Sequence, residues 1–224
     1  MTTVMGIDGA ASGWLGVVLV DGVYARSDLR HTLRGLLWLA PEALVIAIDI
    51  PIGLPTGRFR PADKAARQFV GSRLAASVFE TPPEEVLRAA SHAEAVAIAM
   101  RLLGQGISVQ SYALRKRIFE VAEVAAADPR IVEVHPEVSF RALADAPLVY
   151  AKSAWNGLIE RLNLLVGAGI HLPMEMDGGS QSEPDDVVDA AIAAWSARRV
   201  HEGRSATLPA IPATDPAMGG VIYY

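Results

Sequence analysis

Residues 6–20 read GIDGAASGWLGVVLV. An apolar approach ends in Asp8, a Gly/Ala/Ser-rich turn follows, and a second apolar run starts at Trp14. Aspartate is depleted in strands, because its short polar side chain favours turns and an ionised carboxylate is costly to bury. A strand ending in Asp8 therefore either closes in a turn or delivers a carboxylate to a site. Other carboxylates converging on the same place decide between the two. The pattern recurs in ALVIAIDIP (43–51), a continuous apolar run of the kind expected in a strand covered on both faces. It ends at Asp49, and Pro51, Gly53 and Pro55 punctuate its exit.

Outward from these two runs, residues 4–7, 14–20 and 22–29 read as strands, with Asp21-Gly22 as a hairpin signal. Thr32 is placed to cap a helix through Leu33, Leu36, Leu37 and Ala40 that Pro41 closes. Residues 62–127 change character: alanine and charge dominate at helical spacing, which predicts a helical insertion between strands. IVEVH (131–135) returns to strand character and Pro136 ends it. A helix around Trp155, Leu158, Leu162 and Leu165 follows, and Pro184 opens another that runs to about Val200. The final VIYY is expected to return as an edge strand. The fold class is α/β: a mixed sheet flanked by helices, in a single domain over 1–224 with the insertion at 62–127 inside it.

Composition bounds the chemistry. The chain has 224 residues, 51% of them hydrophobic, and no cysteine, which excludes disulfides, thiolate nucleophiles and Cys-ligated metals. No apolar run approaches the ~18 residues of a membrane span, and residues 1–5 lack the features of a signal peptide. The expected location is the cytoplasm, with no membrane partner. A net charge of −5 argues against coating nucleic acid by electrostatics alone. Local basic clusters exist at Arg58–Arg73 and at Arg115–Arg117, although solvated helix faces are the commoner reading of each.

A third acidic group lies in EPDDVVDAAIAAW (183–195). Asp186 and Asp189 are three apart and Asp185 and Asp189 four apart, so a helix makes both pairs neighbours. Asp185 and Asp186 fall in the first helical turn, where the helix dipole alone accounts for them. Asp189 falls in the second turn against an alanine-rich run, where a carboxylate needs a partner or a metal. Asp8, Asp49 and Asp189 taken together favour a site over coincidence; any one alone does not. Carboxylates focused on one point need cations, and an oxygen-rich, sulfur-free set suits Mg²⁺ or Mn²⁺. Two such ions about 4 Å apart serve phosphodiester cleavage. The candidate catalytic residues are Asp8, Asp49, Glu133, Asp186 and Asp189, with Asp8, Asp49, Asp186 and Asp189 as metal ligands. His135 reads as a structural histidine before a proton shuttle. Lys152 precedes a helix, where a solvated end residue is the commoner role; with Arg67 and Arg73 it is carried as a candidate substrate contact.

The segments GIDGAASGW, IDIPIGLP, AARQFVGSRLAASVFETP, GQGISVQ, EVHPEVSF and DDVVDAAIAAW resemble domain-of-unknown-function family 429, described as predicted nucleases with a ribonuclease H-like fold. The resemblance runs over nearly the whole chain. It implies a five-stranded mixed sheet in order 3-2-1-4-5. It maps Asp8 to the acidic residue of the first strand, Asp49 to that of the fourth, and Asp186 and Asp189 to the closing helix. It also turns Arg73 and Ser77 toward the site. The expected activity is metal-dependent nuclease action on nucleic acid or a nucleotide. The alternatives are an ATP-binding phosphotransferase of the actin and sugar-kinase superfamily, or a non-catalytic interaction module. The absence of an obvious aromatic stacking platform speaks for the module. The alanine-rich insertion is a candidate homodimer surface.

Overall fold

The computed structural model describes residues 1–176, 182–212 and 214–224. β1 Thr3–Ala10, β2 Gly13–Val20 and β3 Val23–Arg30 open the chain, followed by α1 Leu33–Leu37 and β4 Val45–Ile48. Next come α2 Pro61–Val70, α3 Glu84–Leu87, α4 His92–Leu103, α5 Val109–Ala113 and α6 Arg115–Ala127. β5 Ile131–Glu133 leads to α7 Pro136–Ala144, α8 Trp155–Gly167 and α9 Pro184–His201. β6 Thr207–Leu208 and β7 Ile222–Tyr223 pair with each other at the end. The chain gathers into two compact units. One comprises Met1–Asp49, Asp128–Ala206 and Tyr223–Tyr224, the other Ile50–Ala127 and Thr207–Ile222. The helical segment expected over 62–127 falls within the second.

In the first unit the strands form one mixed sheet in the order β3-β2-β1-β4-β5, the order that the resemblance implied. β1 is antiparallel to β2 and parallel to β4, and β4 is parallel to β5. β2 and β3 fall where their apolar runs placed them, whereas β1 runs past the expected 4–7, through Asp8 to Ala10, because its pairing with β2 continues to Gly13. Thr32 caps α1 by accepting the Gly35 N–H at 3.1 Å. β1 is buried along nearly its whole length, so both of its faces are covered. Met5 and Leu36 meet at Gly16 on one face. The other face belongs to α9, which packs across β1, β2 and β4. A Cβ on Gly6 would lie 2.0 Å from the Ala194 nitrogen and 2.1 Å from the Ala190 carbonyl oxygen. Only glycine allows the helix backbone to rest on the strand there. The run Ala190, Ala191, Ala193, Ala194 supplies the matching flat surface and is wholly buried.

The region after β5 departs from the sequence reading. The strand ends before Pro136, as expected, but Pro136 also occupies the first position of α7, where its missing N–H costs nothing. His135 caps that helix, its Nδ1 accepting the Glu137 N–H at 3.2 Å. An imidazole in the capping role is outside the Ser/Thr/Asp/Asn pattern by which a helix start is recognised, so α7 left only a weak signal.

The second unit is built on a buried ion pair. Arg60 donates through Nη2 and Nε to Asp63 Oδ1 at 2.6 and 3.1 Å, and Asp63 Oδ2 accepts the Thr81 N–H at 2.6 Å. Both partners are buried, so each neutralises the other's desolvated charge. A second cluster joins Val86, Ala89, Ala95, Ala99 and Tyr112, whose hydroxyl donates to the Ala89 carbonyl at 2.7 Å.

The contact at Gly6 makes a direct prediction. Gly6→Ala forces α9 off β1 or distorts both, and is expected to lower stability by about 3 kcal/mol or more in denaturant unfolding.

Candidate functional site

The register explains how the carboxylates meet. Gly6 aligns with Ala47 and Ile7 with Ile48 in the parallel pairing, and the Asp49 N–H continues it by donating to the Ile7 carbonyl at 3.0 Å. Side chains alternate along a strand, so Asp8 leaves β1 on the same face as Gly6, and Asp49 leaves β4 on the same face as Ala47. That face is the one α9 covers. Because Ala190 lies over Gly6, Asp189 is carried to the carboxyl ends of β1 and β4. The crevice outside those ends is where ligands bind in open α/β sheets.

Asp8 and Asp189 are buried, with 8% and 2% of their surfaces exposed. Asp8 Oδ1 accepts the Gly9 N–H at 2.7 Å. Asp189 Oδ2 accepts from Lys152 Nζ at 2.6 Å, whereas its Oδ1 is buried with no hydrogen-bond partner. Lys152 Nζ also lies 3.6 Å from Asp185 Oδ2. Burial raises the Asp8 carboxyl well above the ordinary range, and the charges of Asp49 and Asp189 raise it further. Burial likewise pushes Asp49 up to about 8, with the charge of Asp189 next and those of Glu133 and Glu137 behind it, against the opposing Lys152. Asp189 is raised by burial, which outweighs the lowering by Lys152. Burial works to lower the Lys152 ammonium, but Asp189, Asp8 and Asp49 together outweigh it and hold Lys152 protonated.

Lys152 owes its place to a buried framework. Arg161 Nη2 donates to both Glu137 oxygens at 2.6 and 2.7 Å, and both side chains are almost wholly inaccessible. Arg161 Nη1 donates to the carbonyls of Tyr150 and Gly157 at 3.1 and 2.9 Å. The Glu160 carboxylate accepts the Val149 and Tyr150 N–H groups at 3.1 and 3.2 Å. The loop before Lys152 is thereby fastened to the first turns of α8. A Cβ at Gly157 would stand 1.9 Å from the Ala151 carbonyl oxygen, so glycine is required where the two run together.

The structure therefore brings together Asp8, Asp49, Asp189 and Lys152. Asp186 sits at the first turn of α9. Its carboxyl is raised by burial and then by Asp185, and it is Asp185 that approaches Lys152. Glu133 is buried and aligns with Ile48, which by alternation assigns it to the sheet face opposite Asp49, while its charge still reaches Asp49. Arg67 and Arg73 belong to the second unit, where Arg67 Nη1 donates to the Val78 carbonyl at 2.6 Å. Ser77 is in the same unit and its hydroxyl donates to the Leu74 carbonyl. Arg161 and its pairing with Glu137 went unread in the sequence. The available signal was an arginine on the Leu158, Leu162, Leu165 stripe of α8, where a charge demands a buried partner.

Among the described residues, no three carboxylate or imidazole groups are already gathered as a ligand shell for a metal. The donor chemistry nevertheless fits one hard divalent cation. The ligand atoms are all oxygen, Asp189 Oδ1 is orphaned, and burial raises the three carboxyls by more than the one facing ammonium offsets. Fold and site together define an α/β protein with an acidic cluster at the carboxyl ends of its central parallel strands. The chain belongs to the family described as Protein of unknown function (DUF429), whose model matches residues 6–214. No curated protein and no solved structure matches the chain.

The charge imbalance has a measurable consequence. Asp49 is raised from 3.8 to about 8, so the folded chain holds this proton more tightly than the unfolded chain. Between those values unfolding releases a proton, and stability falls as pH rises. In chelator-treated protein, Asp49→Asn is expected to raise stability by about 3 kcal/mol or more near a pH of about 8 and by little near a pH of about 4. Thermal unfolding at the two pH values checks it.

Proposed function

We propose that the protein is a metal-dependent phosphodiesterase acting on nucleic acid. The observation that carries this reading is the meeting of Asp8, Asp49 and the orphaned Oδ1 of Asp189 in one desolvated cluster. Three carboxylates against the Lys152 ammonium leave two negative charges, the charge of a single Mg²⁺ or Mn²⁺. One ion, with Lys152 standing as the second positive charge, is thus the composition that balances the cluster, in place of two ions. When bound, such an ion supplies a water of lowered pKa and charge stabilisation for the phosphoryl oxygens.

The chain's own residues have distinct tasks. Asp8, Asp49 and Asp189 hold the cation. Lys152 keeps Asp189 Oδ2 occupied, which leaves Oδ1 turned to the site, and its remaining N–H donors are available to a phosphate oxygen. The Glu137–Arg161 pair positions Lys152 through the 149–151 loop. Glu133 contributes negative charge that strengthens cation binding through Asp49. Asp185 and Asp186 border the entrance at the helix start.

Calorimetric titration with Mn²⁺ tests the proposal. The wild-type protein is expected to bind one equivalent, and Asp8→Asn and Asp189→Asn to weaken binding by at least about tenfold. Wild-type protein is also expected to cut a mixed panel of DNA and RNA in Mn²⁺, with cutting abolished in Asp8→Asn. Unchanged Mn²⁺ binding and unchanged cutting in Asp8→Asn would remove the central ligand and the proposal with it.

A further inference from the structure

Beside the carboxylate cluster lies a cavity of about 380 Å³, within the range of small-molecule sites. Lys152, Ser153, Ala154, Trp155, Glu183 and Asp185 are among its walls. One of these, Lys152, belongs to the cluster and pairs with Asp189, and Asp185 lies 3.6 Å from the same ammonium, so cavity and cluster share an edge. Trp155 is the first residue of α8, and 73% of its surface is exposed. Its sequence position reads as the apolar stripe of the helix, yet it is not in the core. Framework contacts hold the adjacent chain: Arg161 and Glu160 fix residues 149–151, and Gly157 fits beneath Ala151. The indole is thus an uncovered aromatic plane on a held stretch of backbone, beside a cavity whose walls are part apolar and part charged.

An uncovered indole offers a stacking face to a planar group, and base–aromatic stacking tolerates every base because each has a π-face. Acidic walls repel phosphate but accept N–H groups. A carboxylate is a natural acceptor for the amino group of a base, as when Glu or Asp accepts from cytosine N4. Glu183, in the wall of the cavity, is the carboxylate available to serve in this way. Phosphate, in contrast, is matched only at the edge, by Lys152 and the cation site.

From this arrangement we infer that the Trp155 cavity receives an unpaired nucleobase of the substrate strand, stacked on the indole, while the adjoining phosphate reaches Lys152 and the carboxylate cluster. The inference rests on the phosphodiesterase reading and adds the substrate class. A base held in the cavity cannot remain stacked and paired in a duplex, so the preferred substrate is single-stranded.

The test is fluorescence anisotropy of labelled (dC)₈, alone and annealed to its complement, with Ca²⁺ as the cation. Wild-type protein is expected to bind the single strand more tightly than the duplex. Trp155→Ala is expected to weaken single-strand binding about tenfold or more, and Trp155→Phe, which keeps a stacking face, by much less. Trp38→Ala, which removes an indole still more exposed but outside the cavity, is expected to change nothing. Equal binding by Trp155→Ala and wild type, a duplex preference, or no binding of the strand by wild type would overturn the inference. Mn²⁺ calorimetry on the same variants separates the two readings. Trp155→Ala is expected to retain the wild-type Mn²⁺ heat, and a wild type without any Mn²⁺ heat would sink the phosphodiesterase reading whatever Trp155 does.

Discussion

The close approach of α9 to β1 governs the first unit. Helix and strand backbones meet at Gly6 with no room for even one carbon between them. Such contact gains dispersion and excludes water along a whole helix face, but it requires small side chains on both partners. The alanines of α9 and the glycine of β1 meet that requirement. The register of this contact then decides chemistry. A helix seated with Ala190 and Ala194 over Gly6 must set Asp189 one step further along, over the strand ends that carry Asp8 and Asp49.

Function and stability oppose each other at that point. Removing three carboxylates from water costs free energy that one ammonium only partly offsets, as the raised Asp8, Asp49 and Asp189 carboxyls record. The molecule supports the arrangement from outside it. A tight interface along α9 holds Asp189 in place, and the Glu137–Arg161 pair ties down the loop that delivers Lys152. The two buried ion pairs differ in this respect. Arg60–Asp63 closes its charges within the second unit, whereas Glu137 also adds negative charge felt by Asp49 and Asp189. A structural pair thus shares in setting the electrostatics of the site.

Much of this was legible in the linear sequence, for identifiable reasons. Asp8 and Asp49 stood out because each terminates an apolar run, and a carboxylate at a strand end is a local conflict that needs a cause. Asp189 stood out because alanines surround it at helical spacing. By contrast Lys152, 37 residues from Asp189, looked like an ordinary helix-end lysine. Arg161 and Glu137 are joined across 24 residues, and nothing local marks them as partners. Helix α7 was missed because a histidine caps it. Trp155 was read as part of an apolar stripe, although the stripe turns inward only after it.

The order of elements was settled by hydrophobic period and turn residues, which are local properties carried by neighbouring residues, whereas the strand order was legible only through the family resemblance. Tertiary structure alone decided which cation faces the carboxylates, that Asp185 and not Asp186 approaches Lys152, and that the Trp155 indole stays uncovered. These outcomes depend on helix rotation and on contacts between distant segments. A one-residue change in the seating of α9 turns each carboxylate by about 100° about the helix axis, and composition and spacing do not record that angle.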